Sequence, residues 1–72
     1  MNFSQALEDV KAGMRVGRTG WNGRGMWISL QPPADGTDMD LPYIYMKTAD
    51  GNLVPWIASQ TDLLAEDWVA VN

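Results

Sequence analysis

This chain of 72 residues has no cysteine and no histidine. Without thiols it can form neither disulfides nor thiolate centres, and without either residue type the usual zinc ligand sets cannot be assembled. The same absence removes the common nucleophile and base pairs, together with the side chain that most often acts as a general base near neutral pH. No run of about 18 apolar residues is present to span a membrane. The start, MNFSQALEDVK, lacks a basic stretch followed by an apolar one and does not read as a signal peptide, so a cytoplasmic location is expected. Cations are scarce too: five Lys and Arg stand against nine Asp and Glu, a net charge of −4. That balance opposes binding to a nucleic acid polymer, where neutralising phosphates dominates affinity. The glycines at 17, 20, 23 and 25 form neither a P-loop nor a GxGxxG pattern, which excludes the common nucleotide folds.

What is present describes one small domain over residues 1–72. The hydrophobic fraction of 46% is ordinary for a folded chain. A domain of about 60 residues buries only roughly 60% of the surface its unfolded form exposes, and disulfides, metals or oligomerisation commonly supply the deficit. With the first two excluded, self-association is expected.

Phe3, Ala6, Leu7 and Val10 have the i, i+3, i+4, i+7 spacing of a helix with one buried face. Asn2 with Gln5 offers a capping box at its start, and Gly13 suits its end. Met14 to Thr19 is expected as a strand, with Met14 and Val16 facing one way and Arg15, Gly17 and Thr19 the other. Asn22-Gly23, within Gly20 to Gly25, is a hairpin-loop signal. Met26 to Leu30 alternates, directing Ile28 to a core and Trp27 with Ser29 to the opposite face. Gln31 to Pro42, with three prolines and three aspartates, is a loop. Tyr43 to Lys47 resumes a strand, with Tyr43 and Tyr45 away from the core.

Asp50-Gly51 then predicts a tight hairpin turn. Pro55 makes the following run an edge strand, a bulge, or a strand ending there. Ser59-Gln60-Thr61-Asp62 resembles a second capping box, which predicts a short helix connecting to a last strand at Trp68–Val71. The expected fold is α+β: a small antiparallel sheet of about five strands, with an N-terminal helix and a short helix before the last strand.

Binding chemistry is better supplied than catalysis. Four tryptophans and two tyrosines offer flat faces for a purine, where stacking is worth roughly 1–3 kcal/mol per base. Arg15, Arg18 and Arg24 flank one hairpin, where a guanidinium can meet a phosphate. The alternative is that the tryptophans form the core and the arginines pair with the excess carboxylates. Core suits Trp68, whereas Trp21 in its Gly-rich loop reads equally as a ligand residue, with Trp56 between them. Trp27, Tyr43 and Tyr45 would leave one sheet face too aromatic to stay uncovered. Asp50, Asp62 and Asp67 match no calcium loop and read first as solvated or capping residues.

The segments MNFSQALEDVKAG, GWNG at 20–23, MKTADG at 46–51, VPWIASQTD at 54–62 and LLAEDW at 63–68 resemble, in this order, a family of small phage and prophage domains. Some members are anti-Thoeris sponge proteins of the second type. The resemblance implies a non-catalytic protein without cofactor or metal. It would bind the cyclic ADP-ribose isomer made by the Thoeris TIR enzyme, and in some members cyclic dinucleotides of CBASS defence, in pockets between protomers of a homotetramer in the host bacterial cytoplasm. Carried onto this chain, it implies Trp21 and Trp56 stacking on adenine. Asn22, Ser59 and Gln60 would bond ribose or phosphate oxygens, and Asp62 would accept from an adenine amine or a ribose hydroxyl. Arg24 and Trp27 complete the candidate set. Asn22 otherwise only makes its turn, and Ser59 and Asp62 only cap their helix. Relatives usually carry a longer insertion where this chain has Gln31 to Pro42. Two other readings stand beside the sponge: a protein-interaction module that inhibits a host or phage protein, and a nucleotide hydrolase using Asp50 or Asp62 as base with a metal.

Overall fold

A computed structural model describes residues 1–33, 36 and 38–72. Ala34, Asp35 and Thr37 of the expected loop lie outside the described residues. The elements run α1 (Phe3–Lys11), β1 (Arg15–Arg18), β2 (Trp27–Gln31), β3 (Tyr43–Lys47), β4 (Leu53–Pro55), α2 (Gln60–Leu64) and β5 (Trp68–Val71). This is the α+β arrangement that the sequence pattern predicts.

Local chemistry sets the element boundaries. Asn2 accepts from the Gln5 amide while the Gln5 side chain accepts from the Asn2 amide, so both halves of the first capping box form. At the other end of α1, the Gly13 amide donates to Val10 O and the Met14 amide to Asp9 O, both at 3.0 Å. This is a Schellman closure, with Gly13 in the left-handed region at φ 89°. Met14 is spent on that closure and is 46% exposed, so β1 is shorter than the alternation predicted.

The five strands form one antiparallel sheet in the order β4-β3-β2-β1-β5. Four strands follow each other as a meander, and the chain then returns across the sheet through α2 to add β5 beside β1. Pro55 ends β4 at the sheet edge, where its missing amide costs no ladder bond. In the β3–β4 turn, the Gly51 amide donates to Thr48 O and the Thr48 amide to Asn52 O. Only Gly51 has positive φ, at 90°, so a three-residue loop with a glycine bulge replaces the two-residue type I′ turn. The Asn22-Gly23 loop differs in the same way, since its positive φ falls at Gly25. Gly23 is required for another reason: a Cβ there would lie 2.5 Å from Ala49 Cβ, so this loop packs onto the β3–β4 turn.

The sheet has two unlike sides. Ala6 and Val10 of α1 pack on Val16, Ile28 and Trp68, all buried, and this helix side holds the core. Strand alternation puts Arg15, Trp27, Tyr43, Tyr45 and Lys47 on the open side, which no element covers among the described residues. Trp27 was expected as an available aromatic there, yet it is only 9% exposed. The Arg15 guanidinium lies 4.1 Å from its ring centroid and Tyr45 meets it edge-on at 5.8 Å.

Candidate functional site

The helix side ends, beyond β1 and β5, in a cluster built on the α2 N-terminus. Ser59 is the N-cap: its Oγ accepts from the Asp62 amide at 3.0 Å, and Asp62 Oδ2 accepts from the Ser59 amide at 3.3 Å. The box leaves Asp62 Oδ1 pointing away from its own helix. That oxygen accepts from Arg18 Nη1 at 2.8 Å and from the Trp21 indole Nε1 at 3.1 Å. The capping role foreseen for Asp62 is therefore present, and its remaining oxygen orients Trp21.

Arg18 extends the network to a second carboxylate, donating from Nε to Asp67 Oδ1 at 2.7 Å. Asp67 Oδ2 accepts from the Gly20 amide at 2.7 Å and from Thr19 Oγ1 at 3.3 Å. One guanidinium and two carboxylates thus tie the start of the Trp21 loop to α2 and β5. Burial alone would raise the pKa of Asp62, but the donors from Arg18, Trp21 and Ser59 outweigh it and hold the group below the ordinary carboxylate value. Asp67 is also lowered, chiefly by its bond from Arg18. Both are ionised at neutral pH and committed to donors within the chain. Among the described residues no group of acidic side chains is placed to hold a metal ion.

Three indoles meet above this network. Trp68 is fully buried, and its Nε1 donates to Asp62 O at 3.0 Å. Trp21 stands edge-on to it at 5.3 Å and Trp56 at 6.1 Å, with Phe3 at 5.4 Å from Trp68 closing the cluster. Edge-on contacts at these separations are favourable, about 0.5–1.5 kcal/mol beyond area burial. Trp21 and Trp56 remain half-buried, each with surface left for another planar group.

The candidate residues fall into two places. Trp21, Trp56, Ser59 and Asp62 come together at this end of the helix side. Asn22 and Gln60, both exposed, follow Trp21 and Ser59 directly, so the site's free polar groups lie beside its aromatic ones. Trp27 belongs to the open side of the sheet, and the exposed Arg24 lies in the loop that leads to it. Sequence reasoning left Arg18 between a phosphate contact and a partner for the excess carboxylates; the structure shows the second, making it the internal partner of Asp62 and Asp67, with a side chain only 14% exposed. Asp67 was missed as a support of the Trp21 loop. Its partners lie 47 to 49 positions away, and no local spacing signals such a pairing.

Comparison with known proteins gives a consistent result. Residues 1–71 match the family model described as "Tad2-like: Thoeris anti-defense 2-like domain". The chain is 40% identical to "Thoeris anti-defense 2" of Bacillus phage SP01, an alignment covering 100% of this chain and 96% of that protein. The alignment runs over 86 residues against the 72 here, so that relative carries inserted residues.

Proposed function

This chain belongs to the Thoeris anti-defense 2-like family, and on that premise we propose that it blocks Thoeris defence as a sponge. It binds the cyclic ADP-ribose isomer made by the TIR enzyme in the host cytoplasm, keeps it intact, and so withholds it from the effector. The observation that carries this reading is the pair of half-buried indoles, Trp21 and Trp56, held edge-on to the buried Trp68 beside exposed Asn22 and Gln60. Adenine would stack on the indoles, and ribose or phosphate oxygens would meet the amide side chains. Holding Trp21 through Asp62 before any ligand arrives lowers the ordering cost of binding and favours slow release.

Non-catalytic action is supported by the state of the acids. Asp62 and Asp67 each accept several internal hydrogen bonds and pair with Arg18, which leaves neither poised as a general base. Completion of the pocket by a second protomer, in a homotetramer, forms part of the proposal.

The test mixes purified protein with the TIR product, removes unbound ligand by filtration, heats the retained protein and identifies what is released by mass spectrometry. Recovery of the unaltered molecule is expected. An altered product would make the protein an enzyme, and no depletion would redirect the search to a protein partner. Asn22→Ala, an exposed change, should weaken capture by roughly 3- to 10-fold, the worth of one neutral hydrogen bond, without lowering the melting temperature.

A further inference from the structure

The turn from Thr48 to Asn52 is bonded beyond what joining β3 to β4 requires. The Thr48 amide donates to Asn52 O at 2.8 Å and the Gly51 amide to Thr48 O at 3.0 Å. In addition, the Asn52 amide donates to Thr48 Oγ1 at 3.1 Å, Asn52 Nδ2 to Asp50 Oδ2 at 3.2 Å, and the Thr48 hydroxyl to the other Asp50 oxygen. A turn so bonded yields little. Ala49 sits in it, against the loop that carries Trp21 and Asn22. A Cβ on Gly23 would lie 2.5 Å from Ala49 Cβ and 2.7 Å from Met26 Sδ, well inside the 3.5–4.0 Å at which carbon atoms pack. Gly23 has no positive φ, so this contact alone requires glycine there. The loop is thus anchored on both sides of Asn22. Before it, the Gly20 amide donates to Asp67 and the Trp21 indole to Asp62. After it, the Gly23 backbone rests between Ala49 and Met26.

We propose that Ala49, on this stiff turn, is a positioning residue of the candidate site: it stops the loop at Gly23 and so fixes where the Asn22 amide meets the ligand. The proposal rests on the sponge reading and deepens it. Of the two groups that bear on Gly23, the Met26 thioether is flexible and can give way, whereas Ala49 is held by the bonds of its turn, so Ala49 sets the position of the loop. An exposed asparagine beside a glycine otherwise samples several loop conformations, and freezing one of them on binding costs affinity. With the loop seated against Ala49, that ordering is complete before the ligand arrives. Residue 49 acts through Asn22, and its loss is read as the loss of the Asn22 contact.

The test measures the release rate of the TIR product from the full chain after dilution, with melting temperatures in parallel. Gly23→Ala, which pushes the loop off Ala49, should speed release by about 3- to 10-fold, as Asn22→Ala does. Asn22→Ala combined with Gly23→Ala should be no worse than either alone, because both remove one contact. Adding Ala49→Gly to Gly23→Ala vacates the space for the new methyl group and should recover most of the loss. Multiplied losses in the Asn22→Ala, Gly23→Ala pair would overturn the proposal by making the two positions independent. Unchanged release from folded Gly23→Ala would overturn it as well, and so would failure of Ala49→Gly to recover it. If Gly23→Ala does not fold, Ala49→Gly alone decides: faster release that Asn22→Ala does not compound is expected, and unchanged release overturns the proposal. No retention by the parent would sink the sponge reading and this proposal together, whereas retention by the parent with any of the other adverse results sinks the positioning role alone.

Discussion

Arg15 and Arg18 are three residues apart on one strand, and the sheet uses them in opposite ways. An odd separation on a strand sends the two side chains to opposite faces. Arg18 on the helix side meets two carboxylates and is closed in by Trp21 and α2. Among the described residues, Arg15 on the open side meets the face of an indole and no carboxylate. The comparison separates two kinds of cation. One is consumed in holding the fold together, and its charge is invisible from outside. The other is held in place by an apolar surface and keeps its charge available.

The sharpest way to break this comparison is to remove the internal arginine. Arg18→Leu leaves Asp62, which is 8% exposed, and Asp67 without their cation. It should cost about 3 kcal/mol of unfolding free energy, the usual scale for orphaning part of a buried pair. Urea denaturation measures it, and Asp62→Asn on the Arg18→Leu background should recover part of the loss if the penalty is the unpaired charge.

An acid titration should show a smaller, graded effect. Asp62 and Asp67 have pKa values below their unfolded ones, so their stabilising contribution is complete above the ordinary carboxylate value of about 4 and is lost as pH falls through the lower folded values. Stability should therefore be level from pH 7 to about 5 and decline below about 4. Asp50, lowered mainly by its bond from Thr48, adds to the same limb. The Arg18→Leu variant should show a flatter acid limb, which thermal melts across pH would detect.

The smallest effect is expected on the open side. Arg15→Gln removes an exposed cation from the face of the buried Trp27 indole, an interaction of about 0.5–1 kcal/mol, and the melting temperature should move only slightly. A loss as large as that of Arg18→Leu would erase the distinction and make both arginines structural.

The elements were legible because their signals are local. The α1 and α2 boxes join residues three apart, and both form as the sequence indicates. Alternation in Met26 to Leu30 and Tyr43 to Lys47 gave two strands and their faces, the first shifted by one residue to Trp27–Gln31 in the structure, and Pro55 marked the edge. The turns were located but not typed. Their conformation depends on how each loop closes, Asp50-Gly51 through the Thr48–Asn52 bonds and Asn22-Gly23 by resting on Ala49. The candidate site was half legible: Trp21, Trp56, Ser59 and Asp62 were named and do converge, but Arg18 and Asp67 were not seen as what holds Trp21 in place. Trp27 illustrates the limit in the other direction. Its face was read correctly, and its burial was not, because Arg15 covers it from a neighbouring strand.

By itself the sequence determined which segments are helix and strand, which side of the second and third strands meets the core, and that thiol and imidazole chemistry are absent, since composition, spacing and capping act within a few residues. Only the tertiary structure decided which arginine is spent and which is free, and which indoles are covered. Those outcomes depend on contacts between positions tens of residues apart, such as Arg18 with Asp67 and Trp21 with Asp62, which chain spacing does not encode.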